Sequence, residues 1–185
     1  VPIEEDLKMR PVSPYALSKA YQDMAAQMYF KIYGLNMIIT RMFTYINPRR
    51  NNLFQSAFAR QIIKIKNKKA SVLRHGNLKS IRSFLSLEDA MRAYWDVAIK
   101  GKIGEIYNIG GTKAYTVGQV LDKLIKLSKI KIKKKMNKKL LRIKDVTLQL
   151  ANIKKFCKDT GWTQKESLDF SLKFLVTELS KKTKH

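Results

Sequence analysis

Tyr15 and Lys19 are the residues of this sequence whose types and spacing most directly suggest catalysis. Four residues advance an α-helix by about 400°, so the phenol and the ammonium group project from one face, a turn apart. A tyrosine hydroxyl titrates near pH 10, and a nearby cation lowers that pKa by stabilising the phenolate. The pair can therefore serve as a general acid or base. The same spacing is also common on ordinary helix surfaces, so its meaning depends on the surrounding elements.

The Tyr–Lys pair lies at the start of a long predicted helix. Pro14 suits a first turn and Gly34 suits the position after a helix end, so we expect a helix from Ser13 or Pro14 through Tyr33. The apolar run at 35–43 predicts a buried strand of a parallel sheet. Periodicity predicts further helices at 53–66, 87–99, 117–128, 152–160 and 167–181, and strands at 70–73, 81–85, 105–109 and 129–133. Such alternation of helices and strands predicts an α/β fold.

The chain is strongly basic. Its 185 residues include 38 Lys and Arg against 14 Asp and Glu, a formal net charge of +24. Such an excess can indicate nucleic acid or an anionic membrane as a partner. Between Lys123 and Arg142, however, the basic residues alternate with apolar ones at helix and then strand spacing, which is typical of a solvated surface. We therefore expect no specific nucleic acid and no membrane as partner, and keep a basic polyanion-binding protein as an alternative.

The apolar content and the cysteine count limit the class of protein further. Hydrophobic residues make up 45% of the chain, enough for a packed core in which we expect Tyr94 and Trp95. Cys157 is the one cysteine and cannot form an internal disulfide, which fits a reducing compartment and a cytoplasmic location. His75 and His185 are far apart, and neither CxxC nor HxxxH occurs, so no metal site is expected.

Seven short motifs give the Tyr–Lys pair a context. They are SPYALSK at 13–19, TRMF at 40–43, PRR at 48–50, GNLKSIRSF at 76–84, IYNIGG at 106–111, RIKDV at 142–146 and KDTGW at 158–162. Together and in this order they resemble the extended short-chain dehydrogenase/reductase family. Within it the resemblance is to the nucleotide-sugar branch, which includes GDP-mannose 4,6-dehydratase and GDP-4-keto-6-deoxymannose reductase. It implies a partial Rossmann-type parallel sheet with a small α/β substrate-binding domain.

The resemblance also implies cofactor, substrate and catalytic residues. The cofactor would be NAD or NADP, and the substrate a sugar nucleotide, GDP-linked by the same comparison. Tyr15 would exchange a proton with the sugar hydroxyl or ketone during hydride transfer, while Lys19 would hold the nicotinamide ribose and lower the pKa of Tyr15. Tyr45 and Arg50 would also contact the cofactor. The helix that carries Tyr15 and Lys19 would join two copies in a homo-oligomer.

Four residues would bind the sugar nucleotide by the same resemblance. Arg82 stands at the family's diphosphate-binding arginine, where a guanidinium can make two parallel hydrogen bonds to phosphate oxygens. Arg142 would meet the diphosphate and Asp145 the nucleoside. Thr44 would contact the sugar, although Thr44 and Tyr45 stand where relatives usually carry Asn-His, and Thr is the shorter side chain.

The Gly-rich strand–turn–helix that cradles a dinucleotide in this family has no counterpart here, because nothing matches GxxGxxG. The first residue is also not Met. We therefore expect the carboxyl-terminal half of an NAD(P)-dependent nucleotide-sugar dehydratase, reductase or epimerase. Residues 1–50 would end the Rossmann domain, and 51–185 would form mainly the substrate domain, with about 80–110 returning to the Rossmann domain. A catalytically inactive truncated homologue and half of a split enzyme remain alternatives.

Overall fold

A computed structural model of the chain describes residues 2–141 and 146–181. Its helices are α1 (Pro14–Tyr33), α2 (Phe54–Lys66), α3 (Leu87–Lys100), α4 (Val117–Ser128), α5 (Lys154–Thr160) and α6 (Leu168–Lys181), with a 3₁₀ turn at Lys138–Leu140. Its strands are β1 (Ile39–Met42), β2 (Val72–His75), β3 (Ile81–Ser83), β4 (Ile106–Ile109), β5 (Ala114–Thr116), β6 (Lys133–Met136) and β7 (Leu148–Gln149). The α/β class predicted from the sequence is confirmed.

Local signals determine the limits of α1. The Ser13 hydroxyl accepts a hydrogen bond from the N–H of Ala16 at 3.1 Å, and Pro14 occupies the first turn. Gly34 ends the helix at φ 65°, a conformation that costs glycine little. None of the 20 residues of α1 is fully buried. The helix therefore lies on the surface of the part of the chain described here.

The β1–β4 layer is a parallel pair between helices. Ile39 pairs with Ile106 and Met42 with Ile109. Successive side chains of a strand point to opposite faces. One face packs on α3 and α5 through a core that contains Tyr107, whereas Arg41 on the other face reaches α1. Among the described residues, β1 pairs with no strand other than β4.

A second core lies among α2, α4, α6 and β2. Its fully buried side chains include Phe58, Ile62, Leu73, Leu121 and Leu172. β3 pairs antiparallel with β5 and parallel with β7, and β2 pairs in parallel with β6. Parallel pairs thus occur in each of the three small sheets formed by the described residues. No helix among the described residues is long and apolar enough to cross a membrane.

The predicted strand at 129–133 is wrong in position. Lys129 adopts φ 57° as the residue that ends α4, so the chain turns there and extends only from Lys133, beside β2. The interior position expected for Tyr94 and Trp95 is also wrong, because they are 39% and 67% exposed. The buried face of α3 consists instead of small residues that allow the helix to approach the sheet closely: Ala90, Ala93 and Val97.

Candidate functional site

A cavity of about 370 Å³ lies between α2 and the strands β2 and β3. Its wall combines the segment that follows β1, the start of α2, the turn after β2 and one residue of β7. Apolar and polar groups both contribute. The lining residues that are used below are Thr44, Gln55, Gln61, Arg74, Gly76 and Arg82. The volume falls within the range of small-molecule sites in proteins.

Arg82 and Thr44 both line this cavity, so the structure brings these two predicted substrate residues together. Arg82 lies on β3, and its Nη1 and Nη2 donate to the carbonyl oxygens of Ile81 and Val146 at 2.8 and 2.6 Å. These bonds hold the guanidinium plane against the strand. A guanidinium fixed in this way is preorganised for an anion, because little side-chain entropy remains to be lost on binding.

The chain after β1 positions Thr44 and Tyr45. The N–H of Leu85 donates to the carbonyl oxygen of Thr44 at 3.1 Å, and the N–H of Ile46 donates to that of Leu85 at 2.9 Å. Thr44 therefore faces the cavity from a fixed backbone. Tyr45 packs against the core of the β1–β4 layer instead. Its neighbour Tyr94 has a pKa raised above the usual value, mainly by burial and further by Tyr45.

Close approach of the chain fixes the far wall of the cavity. A Cβ on Gly76 would lie 2.6 Å from the carbonyl oxygen of Leu140, so no other residue fits without movement of the backbone. Gln61 of α2 ties the helix to β2, because it accepts from the N–H of Arg74 at 2.8 Å and donates to its carbonyl oxygen at 3.0 Å. Sequence patterns did not identify Gln61 or Gly76 as site residues. The role of each becomes visible only through its contact with a residue distant along the chain.

Tyr15 and Lys19 lie on the first two turns of α1, as predicted. Tyr15 is 67% exposed, so its hydroxyl is accessible to a ligand. The Lys19 Nζ donates to Gln22 Oε1 at 2.9 Å rather than to the phenol. A helix that leads into a strand of a parallel layer runs antiparallel to it, so α1 begins at the end of the layer where β1 leads to Thr44.

An ion pair anchors α1 to the layer beneath it. Arg41 Nε and Nη2 donate to the two carboxylate oxygens of Asp23 at 2.7 and 3.0 Å, and Gln27 donates to the same carboxylate. Burial alone would raise the pKa of Asp23, but the hydrogen bonds and the charge of Arg41 outweigh it and hold that pKa below its usual value. The orientation of the Tyr15 helix thus depends on β1.

The remaining predicted site residues are Arg50, Arg142 and Asp145. Arg50 is exposed in the turn that begins at Asn47, and it is not part of the cavity wall. Arg142 and Asp145 lie outside the described residues. Within the described ranges, no group of three or more His, Cys, Asp or Glu side chains could hold a metal ion.

The glycines near the carboxyl end of β4 have a packing role. A Cβ on Gly111 would lie 2.3 Å from the carbonyl oxygen of Phe84, so this glycine allows two backbone segments to meet. Gly34 and Gly161 adopt positive φ at helix ends. Within the described ranges, none of these glycines belongs to a Gly-rich turn before a helix of the kind that binds a dinucleotide pyrophosphate.

Comparison with known proteins supports the resemblance. The family model described as GDP-mannose 4,6 dehydratase matches residues 1–173. The chain belongs to this family. Among its relatives, the GDP-6-deoxy-D-mannose reductase of Pseudomonas aeruginosa is 23% identical over 180 residues, which cover 96% of this chain and 59% of the relative.

Solved structures of related proteins share the fold of this chain. RMD from Pseudomonas aeruginosa, complexed with NADPH, superposes with a TM-score of 0.91 at 22% identity, covering 98% of this chain and 61% of that one. UDP-glucuronic acid 4-epimerase from Bacillus cereus, in complex with UDP-glucuronic acid and NAD, superposes with a TM-score of 0.85 at 26% identity, covering 99% and 57%. The chain thus spans less than two thirds of the length of these relatives.

Proposed function

We propose that this chain supplies the sugar-nucleotide site and the catalytic helix of an NAD- or NADP-dependent nucleotide-sugar dehydratase, reductase or epimerase. The observation that carries the proposal is the cavity in which Thr44 and Arg82 meet. The family membership supports it, and so does the similar epimerase structure that holds UDP-glucuronic acid and NAD. The motifs around Tyr15 and Arg82 and the lining of the cavity both support a sugar nucleotide as the ligand.

Arg82 would hold the diphosphate of the ligand and Thr44 its sugar. A planar guanidinium suits a diphosphate because it can donate two parallel hydrogen bonds to phosphate oxygens. Arg142 would assist Arg82, and Asp145 would meet the nucleoside. By the family resemblance the nucleoside would be guanosine.

Tyr15 would exchange the proton and Lys19 would support it. The exposed phenol can reach a sugar hydroxyl or ketone. A bound nicotinamide supplies the hydride acceptor or donor. Lys19 would hold its ribose, with Tyr45 and Arg50 as further contacts. For Lys19 this requires the exchange of its hydrogen bond to Gln22 for one to the ribose.

The two hydrophobic cores would correspond to two functional units. The core around the β1–β4 layer would belong to the cofactor domain, formed by residues 1–50 with the return at about 80–110, and Phe156 and Trp162 from later in the chain also pack in this core. The core among α2, α4 and α6 would belong to the substrate domain, mainly in 51–185. The cavity, which is lined by Thr44 and by residues of α2, would then lie between the two units, a position that ligand sites often occupy.

Calorimetric titration with GDP and GDP-mannose tests the substrate site. Arg82→Ala should weaken binding at least tenfold, about 1.4 kcal/mol, because a charge-assisted contact to phosphate is lost. Arg49→Ala removes the same charge from an exposed position outside the cavity and should change affinity less than twofold. Arg82→Lys, which keeps the charge without the fork, should fall between them. Equal affinity of wild type and Arg82→Ala would exclude this site.

We also propose that α1 joins two copies of the protein. Its outer face carries an apolar stripe of partly or largely exposed side chains: Leu17, Tyr21, Met24, Met28 and Ile32. Residues at this spacing share one face of a helix, and such a face is stabilised by a partner that removes it from water. Sedimentation velocity should show a dimer that Met24→Lys dissociates, whereas Asn36→Lys, just beyond the helix, leaves it intact. A monomeric wild type would contradict this proposal.

We also propose a cytoplasmic location for the protein, which is consistent with its unpaired Cys157.

A further inference from the structure

Gln55, in the first turn of α2, is a buried polar residue without an evident partner. It is 0% exposed and lines the cavity. Within the described part of the chain, neither Nε2 nor Oε1 of its amide forms a hydrogen bond. Most buried polar side chains in proteins are hydrogen-bonded, so an unpaired amide at a cavity wall requires a physical reason.

A structural role does not explain Gln55. Two other glutamines show what such roles look like. Gln119 accepts from the N–H of Thr116 at 2.8 Å and so caps α4. Gln61, which follows Gln55 by six residues on the same helix, uses both ends of its amide on the backbone of Arg74. Among the residues that the structure describes, Gln55 neither caps α2 nor links it to a strand.

Burial makes an unpaired amide unfavourable for folding alone. The amide gives up its hydrogen bonds to water and gains none from the protein, whereas a methionine would fill a similar volume without that loss. The same amide is well suited to recognition. A site built around a buried donor and acceptor rejects ligands that leave them unpaired, and this discrimination is much stronger than that of an apolar wall.

We propose that Gln55 is a specificity-determining residue of the cavity, which donates from Nε2 and accepts at Oε1 on a ligand group that carries an acceptor beside a donor. Adjacent sugar hydroxyls and the amide edge of a nucleobase both have this chemistry. The inference rests on the proposed sugar-nucleotide function. It adds to that function an uncharged contact on the α2 side of the cavity. Arg82 would supply affinity for the diphosphate, and Gln55 would discriminate among ligands that all carry a diphosphate.

Gln55→Met is the test, with Gln61→Met as the matched control on the same helix and the same cavity. Gln55→Met should raise the melting temperature, because an unpaired amide is replaced by an apolar side chain of similar length. It should also weaken ligand binding at least tenfold. Gln61→Met should lower the melting temperature, because two hydrogen bonds to Arg74 are lost. Differential scanning calorimetry and titration calorimetry measure the two effects.

The ligand panel identifies the group that Gln55 contacts. The probes are GDP, UDP, dTDP, GDP-mannose, UDP-glucose and dTDP-glucose. A loss of affinity for the nucleoside diphosphates and the sugar nucleotides alike supports a contact to the nucleoside. A loss confined to the sugar nucleotides supports a contact to the sugar.

Two results would overturn the inference alone. One is a wild type that binds a probe while Gln55→Met binds it within twofold. The other is a lower melting temperature of Gln55→Met, which would show that the amide has a stabilising partner in the protein. A wild type that binds none of the six probes would instead overturn the proposed function itself, and the role of Gln55 with it.

Discussion

Replacement of Asp23 by Asn should loosen the helix that carries Tyr15. The Asp23 carboxylate accepts hydrogen bonds from Arg41 at 2.7 and 3.0 Å, and the Arg41 and Asp23 side chains are 20% and 11% exposed. Exposed ion pairs contribute at most about 1 kcal/mol, whereas removal of one partner from a fully buried pair costs about 3–5 kcal/mol. This pair lies between those limits. We therefore expect Asp23→Asn to lower the free energy of unfolding by about 2 kcal/mol.

Urea unfolding monitored by circular dichroism at pH 7 measures this loss. Asp122→Asn is the matched control, since Asp122 and its partner Lys134 are 63% and 43% exposed. Solvent screens that pair, so the control should lose well under about 1 kcal/mol. A loss for Asp23→Asn no larger than that of Asp122→Asn would refute the role of the pair as the anchor of α1.

The pH dependence of the same difference provides a second test. Burial opposes ionisation of Asp23, but Arg41 prevails and folding lowers its pKa below the ordinary 3.8. The contribution of the carboxylate is therefore fully present above that unfolded value and is lost as the pH falls through the folded pKa. The gap between wild type and Asp23→Asn should stay constant from pH 7 to about pH 5 and shrink on further acidification. A gap that does not change with acid would show that charge is not involved.

Three further predictions concern single sites. Gly76→Ala should lower the melting temperature by about 5 °C or more and weaken GDP binding, because the new Cβ would lie 2.6 Å from the carbonyl oxygen of Leu140. The control Gly118→Ala should be tolerated, because its nearest contact would be at 3.4 Å. Equal melting temperatures of the two variants would contradict the close packing at Gly76. Burial raises the pKa of Cys157, so Ellman's reagent should react more slowly with the folded than with the urea-unfolded protein at pH 8, and equal rates would show an accessible thiolate. Tyr107→Phe should cost about 1.5 kcal/mol in urea unfolding through loss of the 2.9 Å hydrogen bond to Asp159, and no loss would show that this bond contributes nothing.

Local signals in the sequence were sufficient for most of the elements. Ser13, Pro14 and Gly34 act within a few residues of where they stand, and α1 has the limits they predict. Ser86 and Thr116 cap α3 and α4 in the same way. Such signals need no knowledge of the rest of the fold, because a cap is a hydrogen bond between near neighbours in the chain.

Positions set by distant partners could not be predicted in this way. β6 begins at Lys133 because β2 provides its pairing partner, and the alternation of residues that precedes it is equally compatible with a strand four residues earlier. Trp95 is exposed because the small residues of α3, rather than the large ones, face the sheet. Apolar character alone does not show which face of a helix is buried.

The candidate site was only partly predictable, because some of its residues are positioned by partners distant along the chain. Arg82 and Thr44 were assigned by motif resemblance, and the cavity contains both. Gln55 carries no motif, and its importance follows only from a burial that depends on the packing of the helix start. A glutamine in a helical pattern is ordinarily a surface residue, so the sequence contains no signal that distinguishes Gln55 from Gln61.

In the part of the chain that the structure describes, β1 pairs with a single strand, and this has a consequence for how the protein behaves in concentrated solution. The main-chain N–H and C=O groups along the outer edge of β1 are a template on which another extended segment can add. A polypeptide that contributes a parallel strand there would complete the layer. Where none is present, identical chains compete for the same edge, and aggregation becomes more favourable as concentration rises. Handling at low concentration, or coexpression with such a segment, therefore bears directly on whether monodisperse protein is obtained.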